Sequence, residues 1–277
     1  MSSKLDLQAL FSVQGKTVVV TGGSGGLGYT LAQALSQGGA RVVIVSLREE
    51  TASRAAAQLH AEGGEALGIA CDVTDKAALE QALVQVTQSY GPVDILVNGA
   101  GGNQAQATTS SERSFFELDA GAIERVFRLN FTGTILACQV FGKSMAERGE
   151  GCIINIASMS SLKPLTRIPA YSAAKAAITN FTQWLAVHMA QEYSAKIRVN
   201  ALAPGFFLTE QNRFMLLNAQ GGWSPRAESI LAHTPAHRMG EPEDLIGALL
   251  WLASPASAFV TGIVVPVDGG FSAFGGV

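Results

Sequence analysis

The chain has little charge and few cysteines, and each shortage excludes a class of protein. Of its 277 residues only 15% are charged, and the formal net charge of −3 includes no long run of either sign. A basic surface that neutralises phosphates is therefore not expected, and nucleic acid is not an expected partner. The three cysteines, Cys71, Cys138 and Cys152, form no Cys-x-x-Cys pair. We expect them to be buried small side chains in a reducing compartment, which favours the cytoplasm.

Patterns for secretion and membrane insertion are missing as well, and the only His-x-x-x-His spacing is broken by a proline. His233 and His237 are four residues apart with Pro235 between them, and no catalytic metal is predicted. The first residues lack the apolar core of a signal peptide. One uncharged stretch, 245–267, is long enough to cross a bilayer, but prolines and glycines interrupt it. It is interpreted as a helix over 245–253 followed by a separate strand, and no membrane span is predicted.

Short apolar runs alternate with longer helical patterns along the whole chain. Strands that are apolar throughout, alternating with helices, are typical of a parallel sheet covered on both faces. Right-handed crossovers make such a sheet doubly wound. We therefore predict one α/β domain over 1–277, a seven-stranded parallel sheet of the Rossmann type. The predicted strands are 17–20, 41–46, 66–70, 94–98, 152–157, 197–202 and 263–267.

Two long irregular segments interrupt this alternation, at 101–119 and 206–242. Loops of that length in a compact domain often form lids or binding walls. The second segment is predicted to be a small substrate lid.

A glycine-rich loop lies between the first predicted strand and the first long helix. Glycine lets the backbone approach a pyrophosphate, and the helix N-terminus supplies amide groups and a positive dipole end. The spacing is Gly-x-x-x-Gly-x-Gly rather than the commoner Gly-x-Gly-x-x-Gly. The loop predicts a dinucleotide cofactor, and the candidate contacts are Gly22, Ser24, Gly25, Gly26, Leu27 and Gly28.

The end of the second strand bears on which dinucleotide is bound. An acid about twenty residues after the glycines binds a ribose 2′-hydroxyl and selects NAD, whereas an arginine accommodates a 2′-phosphate. Here Ser46 and Leu47 are followed by Arg48, with no acid at the expected place. A guanidinium suits a phosphate, so NADP(H) is favoured and NAD(H) is left open. The alternative is that Arg48 is merely solvated.

The third and fourth strands also end in residues suited to a cofactor. Asp72 can accept from an adenine amino group while Val73 packs on the ring, or Asp72 can simply cap the strand end. Asn98, Ala100 and Gly101 allow a strand terminus to lie flat against a cofactor, or they form an ordinary glycine turn.

Tyr171 and Lys175 are spaced to share one face of a helix, and Ser158 lies thirteen positions before the tyrosine. An ammonium beside a phenol favours the phenolate and lowers a pKa that is ordinarily about 10. Such a phenol can exchange a proton with an alcohol oxygen. Alone the spacing is common on helix surfaces, so its significance depends on the other motifs.

Taken together, these motifs resemble the short-chain dehydrogenase/reductases over nearly the whole chain. One departure is Gly99, where the family often has a second asparagine. The matching positions, in order and spacing, are the glycine loop, Asp72, Asn98, Ala100, Gly101, Asn130, Ser158, Tyr171, Lys175, Pro204, Gly205 and Thr209.

The resemblance implies a role for each matching residue. Tyr171 would be the general acid in reduction, and Ser158 would bind the substrate oxygen. Lys175 would lower the pKa of the tyrosine and bind the nicotinamide ribose. Asn130 would hold a water that relays protons, although a satisfied helix asparagine is the plainer interpretation. Pro204, Gly205 and Thr209 would surround the nicotinamide. The resemblance also implies a homotetramer.

Three stretches, 96–103, 165–171 and 205–213, are similar to the D-mannonate oxidoreductase (fructuronate reductase) branch, which is close to the gluconate 5-dehydrogenases. This implies a keto sugar acid and its alcohol as substrates. Arg167 or Arg213 would bind the carboxylate, unless each is in a surface ion pair, and Asn103 and Gln211 would bind hydroxyls. The alternatives are gluconate or another polyol or ketone, or a dinucleotide sensor that has lost catalysis.

Overall fold

The computed structural model describes residues 5–209, 213–218 and 220–276. Its strands are β1 (Thr17–Thr21), β2 (Arg41–Ser46), β3 (Glu65–Ala70), β4 (Ile95–Asn98), β5 (Gly151–Ile156), β6 (Ile197–Pro204) and β7 (Val264–Val267). Its helices are α1 (Leu7–Leu10), α2 (Gly26–Gln37), α3 (Glu49–Ala61), α4 (Lys76–Tyr90), α5 (Ala120–Phe127), α6 (Gly133–Arg148), α7 (Pro169–Glu192), α8 (Arg213–Leu216), α9 (Pro225–Ala232) and α10 (Ile246–Ala253).

The seven strands form one parallel sheet in the order β3-β2-β1-β4-β5-β6-β7. The chain starts in the middle of the sheet, moves out to β3, crosses back to β4 and then moves out to β7. The direction of winding therefore reverses between β1 and β4, which is where such sheets bind ligands. The predicted doubly wound sheet is confirmed, and each predicted strand end is within two residues of the observed one.

Burial of both sheet faces explains why the strands are apolar throughout. Every residue of β1 is buried. Val18 and Val20 belong to one core cluster and Val19 to another, because successive strand residues point to opposite faces. Helices α2, α3 and α10 pack on the first face, and α4, α6 and α7 on the second.

The three cysteines are buried and free, as predicted. Burial raises the pKa of Cys71 to about 11 and that of Cys138 to about 12, because a thiolate is poorly solvated in either place. Neither thiol is thus in a form suited to nucleophilic chemistry near neutral pH.

The long helix predicted over 122–147 is interrupted by a π-helical turn, Arg128–Thr132, between α5 and α6. At its centre the side-chain amide of Asn130 donates to the Val126 carbonyl at 2.8 Å. That carbonyl is the acceptor that an α-helix would offer to the backbone N–H of Asn130. The side chain takes this acceptor, and the local winding widens.

The predicted lid segment, 206–242, is closed at its base and contains α8 and α9. The Leu208 N–H donates to the Gly240 carbonyl, and the Gly240 N–H donates to the Phe206 carbonyl, at 3.0 and 2.8 Å. The segment has a small apolar cluster of its own, which includes Leu216 and Ile230.

Arg238 and Asp244 pin the downstream end of this segment with two hydrogen bonds of 2.5 and 2.8 Å. The guanidinium holds the pKa of the Asp244 carboxyl at about 2. This pair gives the 237–244 stretch a structural role.

In the part of the chain that the structure describes, no helix combines the length and apolar character needed to cross a bilayer. The described residues also include no group of three or more His, Cys, Asp or Glu side chains placed to hold a metal ion.

Candidate active site

A cleft of about 370 Å³ lies at the carboxyl ends of β1, β4, β5 and β6, at the reversal of winding. It brings together residues that are far apart in the sequence. The sequence-predicted residues that line it are Gly22, Gly25, Gly26, Leu27, Gly28, Gly101, Ser158, Tyr171, Lys175, Pro204, Gly205 and Thr209.

The glycine loop forms one wall of the cleft and leads into α2. Gly25 is the N-cap of α2 and provides no side-chain cap, so the amide groups of the first turn are not satisfied by a capping side chain. The wall formed by Gly26 and Gly28 is therefore a bare helix N-terminus facing a cavity. Such a site suits a pyrophosphate.

Close backbone contacts explain why this loop needs glycine. Gly22 has φ of +70°, and a Cβ there would lie 2.8 Å from the Ala100 backbone. A Cβ on Gly28 would lie 2.3 Å from the Gly22 carbonyl oxygen. Gly99, which departs from the family pattern, is similarly confined, since its Cβ would be 2.8 Å from the Thr21 carbonyl oxygen. The cradle for the cofactor backbone is thus built from main chain.

The ends of β1 and β2 are joined by a chain of hydroxyl groups. The Ser24 and Ser46 oxygens are 2.8 Å apart, and Ser46 and Thr51 are also 2.8 Å apart. Arg48 follows as the N-cap residue of α3 and is exposed. Ser24 and Arg48 therefore lie beside the cleft without lining it.

Four other candidate cofactor residues also lie outside the cleft lining, namely Asp72, Val73, Ala100 and Asn98. Asp72 accepts from the amide and the hydroxyl of Thr74, both at 2.8 Å, which is the capping geometry left open by the sequence. Val73 is buried against Gly133. Ala100 contributes backbone, its N–H donating to the Thr21 hydroxyl at 3.2 Å.

The side chain of Asn98 is directed into the core. It is buried and donates to the Asn155 side chain at 2.9 Å and to the Cys138 sulfur at 3.2 Å. This hydrogen bonding ties the ends of β4 and β5 together beneath the cleft. Asn98 thus supports the wall of the cleft from below.

Ser158, Tyr171 and Lys175 meet in the cleft as the spacing predicts. Ser158 follows β5, and its hydroxyl accepts from the Ser160 N–H at 3.1 Å. Tyr171 and Lys175 lie one turn apart on α7, which begins at a proline suited to a first helical turn. The Lys175 Nζ is 5.7 Å from the centre of the Tyr171 ring and donates to the Ile156 carbonyl at 2.7 Å.

The protonation of this group differs from the prediction. Burial raises the pKa of the Tyr171 phenol, and the interaction with Ser158 lowers it by less. Burial also lowers the pKa of Lys175 to about 8, because the ammonium loses solvation. Desolvation therefore outweighs the expected effect of the ammonium on the phenol. The phenol remains protonated near neutral pH, the form that can donate a proton to a carbonyl oxygen.

Asn130 and Lys175 converge on Gly101. A Cβ on Gly101 would lie 2.6 Å from Asn130 Oδ1 and 3.3 Å from Lys175 Nζ. The Asn130 amide donates to the Gly102 carbonyl at 2.7 Å, and its oxygen accepts from the Gly102 N–H at 3.2 Å. Together with the hydrogen bond to the Val126 carbonyl, these contacts satisfy the Asn130 side chain within the protein. This agrees with the interpretation of Asn130 as a satisfied helix asparagine. The water relay remains a prediction.

Replacing Lys175 by methionine should change how stability depends on pH. The unfolded chain holds the lysine proton with a pKa of 10.5 and the folded chain with one of about 8, so wild-type stability rises with pH through that window. The burial of the ammonium costs up to about 3 kcal/mol below pH 8. Lys175→Met lacks this cost. Urea unfolding of both proteins between pH 7 and 10 should show the wild type gaining stability relative to the variant. A difference that is constant with pH would contradict the burial of a charged lysine.

The residues predicted to bind the substrate carboxylate and hydroxyls do not come together in the cleft. Asn103 is exposed and donates to the Thr108 hydroxyl at 2.9 Å. Gln211 lies outside the described residues. Arg213 is on α8 and does not line the cleft, and Arg167 lines a neighbouring cavity. The residues that complete the cleft and were not predicted from the sequence as contacts are apolar or glycine: Leu31, Gly99, Gly102, Ile156, Ala157, Phe207 and Leu245.

Sequence comparison places the chain in a known family. Residues 16–218 match the family model described as short chain dehydrogenase. The chain therefore belongs to the short-chain dehydrogenases, which are NAD(P)-dependent oxidoreductases that act on CH–OH groups.

Several relatives are similar over nearly their full length. The Bacillus subtilis (strain 168) protein called uncharacterized oxidoreductase UxuB is 48% identical, with 96% of this chain and 98% of that protein aligned. A crystal structure with bound NAD, of a candidate D-mannonate oxidoreductase from Haemophilus influenzae, is 43% identical with a TM-score of 0.92 and covers 98% and 100% of the two chains. A gluconate 5-dehydrogenase from Burkholderia cenocepacia J2315, in complex with NADP and tartrate, is 32% identical with a TM-score of 0.85 and covers 97% and 99%.

Proposed function

We propose that this protein interconverts a keto sugar acid and the corresponding sugar acid, with D-fructuronate and D-mannonate as the substrate pair and NADP(H) as the preferred cofactor. The observation that carries the proposal is the meeting of Ser158, Tyr171 and Lys175 beside the glycine cradle, in one cleft. The similarity to sugar-acid dehydrogenases supports the choice of substrate.

In this proposal the residues of the cleft move a proton and hold the substrate. The nicotinamide supplies or accepts the hydride. Tyr171 donates its phenolic proton to the carbonyl oxygen during reduction. Ser158 donates a hydrogen bond to the same oxygen and stabilises the developing charge. Lys175 orients the ribose and faces the tyrosine ring, and Asn130 holds the Gly101–Gly102 strand end in place.

The preference for NADP(H) rests on the end of β2. No acid occupies positions 46–48, and the exposed Arg48 can approach a 2′-phosphate, whereas the acids Glu49 and Glu50 follow only on the first turn of α3. Among the relatives, one structure holds NAD and another holds NADP, so the choice is one for measurement.

A spectrophotometric assay tests substrate and cofactor together. D-mannonate, D-gluconate and a neutral polyol would each be assayed as substrates for oxidation with NAD and with NADP. The corresponding keto compounds would be assayed for reduction with NADH and with NADPH. We expect the largest kcat/KM for D-mannonate with NADP. A preference for D-gluconate would indicate that the protein has gluconate 5-dehydrogenase activity instead. Binding of NADPH without turnover of any carbonyl would instead support a sensor.

The protein is further proposed to form a homotetramer through the outer face of α7. Trp184 is 56% exposed and stacks on His188, with ring centres 4.7 Å apart, while Phe181 lies on its other side at 6.2 Å. An apolar hollow of about 910 Å³ between α6 and α7 includes these rings. Exposed aromatic residues in a row are typical of an interface between chains. A second copy of the same surface would cover them.

Replacing Trp184 by glutamate should weaken this assembly, because a charge would be buried without a partner. Light scattering should give the mass of four 28.9 kDa chains for the wild type and a smaller mass for Trp184→Glu. Val84 on α4 is 55% exposed, and Val84→Glu provides a control with the same added charge. Tetramers of both variants would mean that another surface carries the assembly.

A further inference from the structure

A second cavity, of about 540 Å³, adjoins the cofactor cleft. Phe206 lines it, and the chain neighbours of Phe206, Gly205 and Phe207, line the cleft. Another wall is the loop 163–167, which connects the segment of Ser158 to the helix of Tyr171. The opposite wall is the first turn of α9, in the predicted lid. The cavity is thus placed between the reacting side chains and the lid.

Two exposed arginines line this cavity from different segments of the chain. Arg167 comes from the loop before α7 and Arg226 from the start of α9. Within the described ranges, neither side chain makes a hydrogen bond or ion pair with another residue. Loss of solvation lowers the pKa of Arg226, and the positive charge of Arg167 lowers it further. Both side chains are exposed, so water screens their mutual repulsion, and an anion bound between them would be attracted by both charges.

Among the described residues that line the cavity, Lys163 is a third cation, and it is already engaged. The Lys163 Nζ donates to the Phe274 carbonyl at 2.7 Å and so ties the C-terminal segment to the cavity wall. This leaves Arg167 and Arg226 as the pair that faces the cavity. Their guanidinium groups offer paired donors of the geometry that a carboxylate accepts.

The backbone of Arg167 is held in an unfavourable conformation. Its φ is +72°, in the left-handed region, where residues other than glycine are uncommon. Its carbonyl accepts from the Thr109 N–H at 2.9 Å, which fixes this turn against the other irregular segment. Strain of this kind persists where the surroundings enforce it, and it is common at ligand-binding positions.

We propose that Arg167 and Arg226 together bind the carboxylate of the substrate and thereby select acids over neutral polyols. The inference rests on the proposed function and adds Arg226, a lid residue, to its site. The rest of the lining includes the apolar side chains of Leu165, Ile230 and Phe271, against which the C–H groups of the substrate can pack. Arg226 lies on α9, so the carboxylate would be held between this helix and the loop 163–167.

The test compares Arg226→Gln and Arg167→Asn with the wild type, on a sugar acid and on a neutral polyol that the wild type oxidises. Asparagine is chosen at position 167 because it tolerates a positive φ. Each variant should raise KM for the acid by about 10-fold to 100-fold, the usual effect of losing a charged hydrogen bond. The KM for the polyol and the Kd for NADPH should stay unchanged, and Arg226→Lys should restore part of the loss.

Arg54→Gln is the matched control, because Arg54 is an exposed arginine on α3 whose ion pair with Glu50, at 3.5 Å, is on the surface. An unchanged KM for the acid in both cavity variants would overturn the proposal, as would equal losses for the acid and the polyol.

A binding measurement separates this inference from the proposed function. Calorimetric titration of tartrate into the protein with NADPH present does not depend on turnover. If the wild type oxidises no sugar acid but binds tartrate in a manner that requires Arg226, the carboxylate site stands and the proposed substrate is wrong. If Arg226→Gln and Arg167→Asn both bind tartrate as tightly as the wild type does, the proposed carboxylate site is wrong, whatever the substrate is.

Discussion

The Tyr171→Phe variant should lose turnover by about 10² to 10⁴-fold, the contribution expected of a positioned general acid. The substitution removes one oxygen and leaves the ring beside Lys175, so the walls of the cleft are kept. Cofactor affinity should therefore stay close to that of the wild type. Steady-state kinetics for turnover and fluorescence titration for NADPH binding measure the two effects separately.

Tyr90 supplies the control for this substitution. It is a partly buried tyrosine at the end of α4, outside the cleft, and its ring lies 6.0 Å from the Arg41 guanidinium. Tyr90→Phe should turn over substrate at the wild-type rate. Turnover retained in Tyr171→Phe would remove the proposed mechanism. Loss of NADPH binding along with turnover would show that the phenol is needed to hold the cleft together.

Replacing Gly28 by alanine should weaken cofactor binding by about 10-fold to 100-fold, the range expected when an added methyl forces backbone to move. The new Cβ would lie 2.3 Å from the Gly22 carbonyl oxygen, so the loop cannot keep its shape. Because the same loop forms the wall that faces the pyrophosphate, its displacement acts on the cofactor directly. The Kd for NADPH and the melting temperature should both be measured.

Gly247 provides a matched glycine-to-alanine control. It lies within α10, and a Cβ there would have no atom within 4 Å. Gly247→Ala should stabilise the protein by up to about 1 kcal/mol through helix propensity and leave cofactor binding unchanged. If Gly28→Ala binds NADPH as tightly as Gly247→Ala does, the close packing of the loop is not required for binding.

Local sequence patterns were sufficient for most of the fold. Runs of buried strand residues such as 41–46 and 197–202 are recognisable because both faces of a parallel strand are covered. The switch from strand to glycine loop to helix is likewise a short-range signal. The position of Tyr171 and Lys175 on one face of α7 follows from helix geometry alone.

The interruption of the long helix at 128–132 was not predictable in this way. Arg128–Thr132 has no proline or glycine that would signal a break. The widened turn depends on a side-chain bond from Asn130 to Val126 and on contacts with Gly102, which comes from a separate loop. Such a contact is visible only after the chain has folded.

The roles of the residues at the end of β4 were not predictable from the sequence either. The alternation of a strand places Asn98 and Gly99 on different faces, but it does not say which face meets the cleft. In the structure the Asn98 side chain joins Asn155 in the core, while Gly99 lines the cleft. Arg226 had no sequence signal, since its significance depends on Arg167, which is remote in the chain and near in space.

The sequence by itself determined the parallel sheet, the glycine cradle and the spacing of the reactive side chains, because each depends on residues that are neighbours in the chain or on a helix. Tertiary structure alone decided the pKa shifts of Tyr171 and Lys175 and the placement of Arg167 and Arg226 in one cavity. Solvation and like-charge repulsion depend on everything that surrounds a group, and the surroundings of each of these groups come from several distant segments.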